Sequence, residues 1–486
     1  MSRFLRCPEI MWIRADFCMI IKIFMCFNEK THEYFVEINA NICYAIVNIF
    51  KGDKFMYRKI TRFLESWKEG KYRKPLILQG ARQVGKTYSI LEFGRTHYEN
   101  VAYFNFETNP RLNETFEENI SPDYLIPILS HIAGQTIVRE KTLIVFDEVQ
   151  LCERALTSLK YFCEDAPGYH IIAAGSLLGV AAGRARFSFP VGKADMKTLY
   201  PMDMEEFMLA MGEGSLVEQI KNCFAADTPL PSALHHGAMG LYRQYLVVGG
   251  MPECVMRFAE TKDYILIRHI QNTILASYLN DMSKYNNLNE IKKTRLAYDN
   301  ITVQLSKKNT RFQYKLIKKG GRASEFENAI EWLCLSGIVS RVCKVEQMKK
   351  PLENYRDIDA FKIYVSDLGL LCAKKDLAAN DILYMVDELN DFKGGMAENY
   401  VNVQLSINGY STYYWESDRG AEIDFVIQRE GKLIPIEVKS ADNTKAKSLK
   451  VYMETYKPDY AIKLSAKNFG FEDGKKTVPL YAAFCI

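Results

Sequence analysis

LILQGARQVGKTYSIL, residues Leu76 to Leu91, is the stretch from which the rest of the chain is read. An apolar run of strand type ends at Gly80, and Gly80 to Thr87 (GARQVGKT) fits the P-loop pattern G-x-x-x-x-G-K-[ST]. The pattern has a physical basis. Backbone N–H groups across Ala81, Arg82, Gln83 and Val84 must curl around a β-phosphate, which favours glycine at the tight positions Gly80 and Gly85. A helix N-terminus must then face the anion. In this reading Lys86 reaches the β- and γ-phosphates of ATP and the Thr87 hydroxyl holds Mg²⁺. The competing reading is a glycine turn with a chance Lys and Thr; the strand before it and the helix after it stand where phosphate binding requires them.

Downstream, Val101 to Phe106 (VAYFNF) reads as a second buried strand and Tyr124 to Ile132 as a helix. Lys141 to Phe146 (KTLIVF) reads as a strand that runs into Asp147 and Glu148. A hydrophobic strand ending in two acids behind a P-loop is the Walker B arrangement, in which Asp147 orients Mg²⁺ through its water shell and Glu148 polarises the attacking water. His170 to Ala174 is another buried strand. Ser176 at its tip has two readings: it holds the hydrolytic water or senses the γ-phosphate, or it caps the LLGV segment. Phe187 to Val191, Asp195 to Tyr200 and Met202 to Ala210 add a further strand and helix. This alternation predicts an α/β fold, a parallel P-loop NTPase sheet with helices on both faces and nucleotide at its carboxyl edge.

The chain of 486 residues is long enough for roughly three domains. Its net charge of +4, from 63 Lys and Arg against 59 Asp and Glu, neither demands nor excludes nucleic acid, because a local basic face fits within such a balance. The 12 cysteines form no C-x-x-C pair and no Cys/His cluster, which points to reduced, buried thiols in a cytoplasmic protein. Phe17 to Phe27 is apolar but carries Lys22 and is shorter than the roughly 20 residues a membrane span needs. It also lacks a small-residue cleavage site for a signal peptide. Residues 1–55 are therefore expected to be a peripheral extension, with a strand at Tyr44 to Phe50 and the functional beginning at Met56.

From residue 211 the pattern turns helical, with a turn-rich junction at Gly249 to Pro252. Helices at Tyr264 to Leu279, Ile291 to Leu305 and Ser324 to Gly337, then a strand at Ile338 to Val342, suit a winged-helix-like or lid module. Lys315, Lys318, Lys319 and Arg322 beside it read either as a phosphate-contacting patch or as a solvated face. Phe361 to Val365 is a strand that runs into Ser366 and Asp367, and Lys393 to Ile407 is a helix containing Glu398. Strands follow at Thr412 to Trp415, Ala421 to Gln428, Leu433 to Val438, Tyr460 to Leu464 and Thr477 to Phe484, with a helix from Lys445. Asp424 lies inside an apolar strand, and Glu437 and Lys439 share a face of the next one. Buried charges in strands are costly unless something uses them. Two uses fit equally: a divalent ion held by the acids with the lysine near a phosphate, or a hairpin whose acids and lysine form salt bridges.

The motifs KPLILQGARQVGKT (Lys74 to Thr87), FNFE (Phe104 to Glu107), IVFDEVQ (Ile144 to Gln150), AAGSLLG (Ala173 to Gly179), SFPVGK (Ser188 to Lys193), LYPMDMEEF (Leu199 to Phe207), VGGMPE (Val248 to Glu253), YVSDLGL (Tyr364 to Leu370), GGMAENYV (Gly394 to Val401), YYWESDRGAEIDFVI (Tyr413 to Ile427) and IPIEVKS (Ile434 to Ser440) occur in this order. With them the chain resembles the prokaryotic AAA+-type ATPases in which a P-loop domain is followed by a winged-helix-like linker and a C-terminal domain of uncharacterised function. The resemblance covers residues 56–486 and implies an ATPase core. It also implies that Glu398, Asp424, Glu437 and Lys439 are the core of a restriction-endonuclease-like domain, where such residues surround Mg²⁺. A retained fold of this kind serves cutting or binding alike. The arginine finger of the family is not fixed by the motifs; Arg184 and Arg186 are its candidates, each with a neighbouring surface helix as the alternative contact.

The expected organisation is a peripheral extension (1–55), an AAA+-type ATPase domain (56–210), a helical lid and winged-helix-like region (211–345) and a restriction-endonuclease-like α/β domain (346–486). The expected function is Mg²⁺-dependent ATP hydrolysis coupled to a nuclease-like or DNA-binding domain. The alternative is a nucleotide-dependent switch that grips a protein partner through an inactive nuclease-like domain. ATP is the expected ligand, with DNA, a protein partner or self-association beside it and no stable membrane span.

Overall fold

The computed structural model describes residues 25–28, 33–36, 56–176, 178–179, 190, 192–284, 288–305, 311–440 and 447–486. The chain divides into two units, Met1–Met56 and Tyr57–Ile486. In the first, β1 (Met25–Asn28) pairs antiparallel with β2 (Glu33–Val36). The strand expected at Tyr44 to Phe50 lies outside the described residues.

The second unit carries two sheets. The first is built from β3 (Leu76–Gln79), β4 (Asn100–Asn105), β5 (Thr142–Asp147), β6 (His170–Gly175) and β7 (Asp195–Thr198), in the order β4-β5-β6-β3-β7. Every neighbouring pair is parallel. Each residue of β5 and β6 is buried, which is why both read as unbroken apolar runs rather than as alternating ones. At the sheet edge β7 is only partly covered, and its sequence DMKT is correspondingly polar. Helices Lys86–His97, Arg111–Glu118, Pro122–Ala133 and Glu153–Asp165 connect the strands. Phe104, Phe106, Phe116, Phe146 and Phe162 fill the core under them, with Phe116 and Phe146 edge to face at 5.6 Å. The strand expected at Phe187 to Val191 falls mostly outside the described residues.

Helices Gly214–Ala226, Ser232–Val248, Pro252–Thr261, Tyr264–Lys284 and Leu288–Leu305 follow. A short helix, Tyr314–Ile317, then leads to Ala323–Leu335 and to the hairpin β8 (Val339–Val345) and β9 (Arg356–Val365). Helix, short helix, helix and hairpin is the order of a winged helix. The hairpin pairs from Val339 with Val365 to Val345 with Arg356, so the boundary expected between 345 and 346 falls inside it. The hairpin is also the start of the second sheet, because β8 runs parallel beside β10 (Tyr413–Glu416). With β11 (Glu422–Arg429), β12 (Lys432–Val438), β13 (Ala461–Ser465), β14 (Gly470–Glu472) and β15 (Lys475–Pro479), the order is β14-β15-β13-β12-β11-β10-β8-β9. The strand expected at Thr477 to Phe484 ends at Pro479 and gives way to a 3₁₀ turn, Leu480–Cys485; a short apolar run such as LYAAFC fits either state by pattern alone. Helix Asn390–Ile407 packs against β9 and β12.

Candidate active site

The carboxyl ends of β3, β5 and β6 meet at one edge of the parallel sheet. Beyond β3 the backbone takes positive φ at Gly80 (151°), Gln83 (65°) and Gly85 (88°), which turns successive N–H groups inward as an anion nest. Gly80 has a second reason to be glycine, since a Cβ there would lie 2.1 Å from the carbonyl oxygen of Leu199. Gly85 is the N-cap of helix Lys86–His97, so the positive end of that helix faces the loop. The Lys86 ammonium donates to the carbonyls of Gly80 at 3.0 Å and Ala81 at 2.8 Å. It is 7 % exposed, and burial pulls its pKa down to about 8 against the opposing pull of Glu148 and Asp147.

The loop is braced from outside. Arg82 pairs with Asp281, and the Tyr278 hydroxyl donates to the Arg82 carbonyl at 3.2 Å. The buried Arg58 guanidinium donates to the carbonyls of Val84 at 3.0 Å and Tyr200 at 2.8 Å, and to Glu206 at 3.2 Å. Arg58 escapes a sequence reading, with one faint signal. Arg58 and Lys59 stand at the start of helix Ile60–Glu69, which has no acid in its first turn. Cations there oppose the helix dipole and need acids from elsewhere; Asp203, Glu205 and Glu206 supply them.

The Walker B residues close on the P-loop. Thr87 Oγ1 donates to Asp147 Oδ2 at 2.9 Å, and Tyr103 from β4 donates to the same oxygen at 2.7 Å. Glu148 adopts a left-handed conformation (φ 52°, ψ 40°) directly after β5, and its N–H donates to Asp147 Oδ1 at 3.0 Å. Gln150 donates to Glu148 Oε2, and Ser176 Oγ reaches the same oxygen at 3.4 Å. The structure thus brings together Lys86, Thr87, Asp147, Glu148 and Ser176. It adds Tyr103 and Gln150, whose roles depend on partners that no local pattern reveals. The donor set suits Mg²⁺ and a nucleotide: a hydroxyl beside a carboxylate, and a positive-φ cradle with a lysine folded onto it. A cavity of about 300 Å³ opens beside Gly80 and Ser176 and is closed on its far side by Gly337, Ser340, Ser366 and Asn402. Arg184 and Arg186 lie outside the described residues.

In the second sheet, Glu398, Asp424, Glu437 and Lys439 also come together, with two further members. Lys362 of β9 pairs with Glu398 at 3.5 Å and with Glu422 at 2.5 Å. Asp424 Oδ2 accepts the Val438 N–H at 2.7 Å, and Lys439 pairs with Glu437 Oε1. Burial, with the carboxylates of Glu398 and Glu437 nearby, pushes Asp424 well above the usual carboxylate range; burial also raises Glu437, against the pull of Lys439. Among the described residues, no group of three or more His, Cys, Asp or Glu side chains is placed to hold a metal ion. At these acids, which the resemblance makes metal ligands, one oxygen each of Glu398, Asp424 and Glu437 is engaged, by Lys362, the Val438 N–H and Lys439 respectively. The signal for Lys362 was a lysine inside the apolar run FKIYV.

Among the described residues, no helix is long and apolar enough to cross a membrane. Residues 239–381 match a domain of unknown function (DUF8612), and residues 393–483 match another (DUF4143). No curated protein matches the chain. Among solved structures, a Walker-type ATPase of Pyrococcus abyssi is similar at 13% identity and a TM-score of 0.42, over 66% of this chain and 96% of that one. The ORC1 protein of Aeropyrum pernix, solved in complex with DNA, is similar at 12% identity and a TM-score of 0.27, over 66% and 91%. The RuvB Holliday junction branch migration motor of Thermotoga maritima is similar at 13% identity and a TM-score of 0.27, over 59% and 90%. Residues 72–208, which hold the P-loop, Asp147, Glu148 and Ser176, match the AAA domain, which supports an AAA-type P-loop ATPase domain in this part of the chain.

Proposed function

We propose that the protein is a Mg²⁺-dependent ATPase whose nucleotide cycle acts on its own C-terminal domain. The observation that carries this reading is the 2.9 Å contact of Thr87 with Asp147, with Glu148 and Ser176 beside it. Mg²⁺ held at Thr87 and Asp147 would supply charge neutralisation for the phosphates. Lys86 leaves the Gly80 and Ala81 carbonyls to bind phosphate oxygens, Thr87 and Asp147 orient the metal site, and Glu148 positions the attacking water and takes its proton. Ser176 and Gln150 hold the Glu148 carboxylate in place. With Asp147→Asn, phosphate release by the full chain is expected to fall by about 10–100-fold, with a raised Mg²⁺ requirement. Unchanged turnover and unchanged Mg²⁺ dependence would overturn the assignment.

The lysine gives a second check. Phosphate favours the ammonium form, so ATP affinity is full below the Lys86 pKa of about 8 and declines above it. Calorimetric titration is expected to show affinity about tenfold weaker at pH 9 than at pH 7, a loss absent from Lys86→Met. An equal pH dependence in the variant would assign the titration to another group.

What the cycle acts on follows from contacts around the P-loop. Gly337 packs against Ala81, where an added Cβ would lie 3.2 Å from the Ala81 nitrogen. Ser366 at the end of β9 donates to the Gly337 carbonyl at 2.5 Å, and Val365 exchanges two hydrogen bonds with Asn399 of helix Asn390–Ile407. A phosphate entering at Ala81 thus meets the strand that also carries Lys362 and Tyr364. DNA is the candidate cargo for the exposed Lys315, Lys318, Lys319 and Arg322 ahead of helix Ala323–Leu335. The lysines inside the acid cluster favour the other output, a C-terminal domain that binds a partner without cutting.

A further inference from the structure

The ammonium of Lys362 belongs neither to the ATPase chemistry nor to the metal arrangement that the acids of the second sheet would form. Its side chain is 2 % exposed. Nζ lies 2.5 Å from Glu422 Oε1, 3.5 Å from Glu398 Oε2 and 5.1 Å from the centroid of the Tyr414 ring. Carboxylates on two sides and an aromatic face on a third surround the ammonium, which is buried without a hydrogen bond of ordinary geometry and is held by charge. One oxygen of each of the other acids is engaged as well. Tyr364 donates to Glu398 Oε2 at 3.0 Å, the Val438 N–H to Asp424 Oδ2, and Lys439 to Glu437 Oε1. Glu437 Oε2 is the one atom of these acids that is buried with no hydrogen-bond partner. Magnesium demands several oxygen ligands in near-octahedral geometry, and among the described residues no group of three or more His, Cys, Asp or Glu side chains is placed to hold a metal ion. A divalent ion within a few ångströms of two ammonium groups also meets strong repulsion in a buried site.

We propose that Lys362 is the resident cation of this cluster and closes it to divalent metal. The cluster is then a metal-free ion network that ties β9, β11, β12 and helix Asn390–Ile407 together, and a variant without the ammonium opens it. Four carboxyl groups face two lysines. Removing Lys362 uncovers Glu398 and Glu422 and leaves a buried negative charge for a solution cation to neutralise.

The inference stands apart from ATP hydrolysis, and its test uses no nucleotide. The probe is Mn²⁺, titrated into the full chain and followed by the electron paramagnetic resonance of the free ion. Asp147→Asn is the background, so that the P-loop does not contribute. That parent is expected to take up no Mn²⁺ that Glu437→Gln removes. Adding Lys362→Met is expected to create a one-to-one site at least about tenfold tighter than any uptake by the parent, lost again on Glu437→Gln. Lys362→Gln, which keeps a hydrogen-bond donor beside the acids, guards against a misfolded Lys362→Met and is expected to show the same gain. A stoichiometric site in the parent that vanishes with Glu437→Gln overturns the proposal. So does the absence of any gain in both Lys362 variants.

Discussion

Glu148→Gln is expected to bind ATP as tightly as the wild type while its turnover falls by about 10²–10⁴-fold. The two side chains have the same shape, and the left-handed backbone at φ 52° is set by the end of β5 rather than by the carboxylate. The Asp147 contact to the residue-148 N–H survives the change, as does the pair of Thr87 with Asp147. Gln150 and Ser176 still find an oxygen to face, because an amide carbonyl replaces Glu148 Oε2. What disappears is the negative charge and the capacity to accept a proton from water. Calorimetry should therefore return a wild-type affinity, and a phosphate-release assay should show nucleotide held without hydrolysis. Turnover within twofold of wild type would remove Glu148 from the reaction, and lost binding would move its role to holding the nucleotide.

The contrast between Glu148 and Arg58 explains how much of the site was legible in the sequence. Glu148 is marked by local context, an apolar strand running into two acids. The strand was placed to within a residue, KTLIVF against the observed Thr142–Asp147, because a parallel strand buried on both faces has to be apolar throughout. The P-loop was legible for a similar reason: its backbone conformation restricts the residue types at Gly80 and Gly85. Arg58, Tyr103, Gln150 and Lys362 act through partners brought close by the fold, such as Glu206 for Arg58 and Glu398 with Glu422 for Lys362. Composition and periodicity carry no trace of such pairings. The acids of the second sheet were visible for the opposite reason, since charges inside apolar strands stand out, but their chemistry was not. Whether these acids face a metal or a lysine depends in part on β9, the edge strand that brings Lys362 to Glu398 and Glu422. β9 opens with the polar RDID, so its pairing with β8 across residue 345 is hidden until the register is known.

Asp367→Ala is expected to lower the stability of the second unit by about 3–5 kcal/mol, the largest loss for a residue outside either ionic site. Asp367 is 2 % exposed. Its carboxylate accepts the Gly250 N–H at 2.6 Å and caps helix Leu368–Lys374 through the Leu370 N–H at 2.8 Å. The segments it joins, VGGMPE and YVSDLGL, lie backbone against backbone with no room between them. A Cβ on Gly369 would stand 2.4 Å from the Val248 carbonyl oxygen, and one on Gly249 would stand 2.8 Å from the Gly369 nitrogen. Both N–H groups lose their acceptor in a buried joint, which costs the desolvation of each. The thermal midpoint by circular dichroism should drop on the order of 5–10 °C. Asp367→Asn should fall between the variant and wild type, because its amide keeps one acceptor but turns a donor toward the other N–H group. A midpoint within about 2 °C of wild type for Asp367→Ala would mean that the two segments are held by packing alone. The joint also touches the nucleotide side. Pro252, which follows this turn, is the neighbour that a Cβ on Gly85 would meet at 3.4 Å. One buried carboxylate therefore fixes the end of β9 relative to both the helical region and the P-loop, and loosening it should weaken the link between nucleotide and C-terminal domain before either site is itself altered.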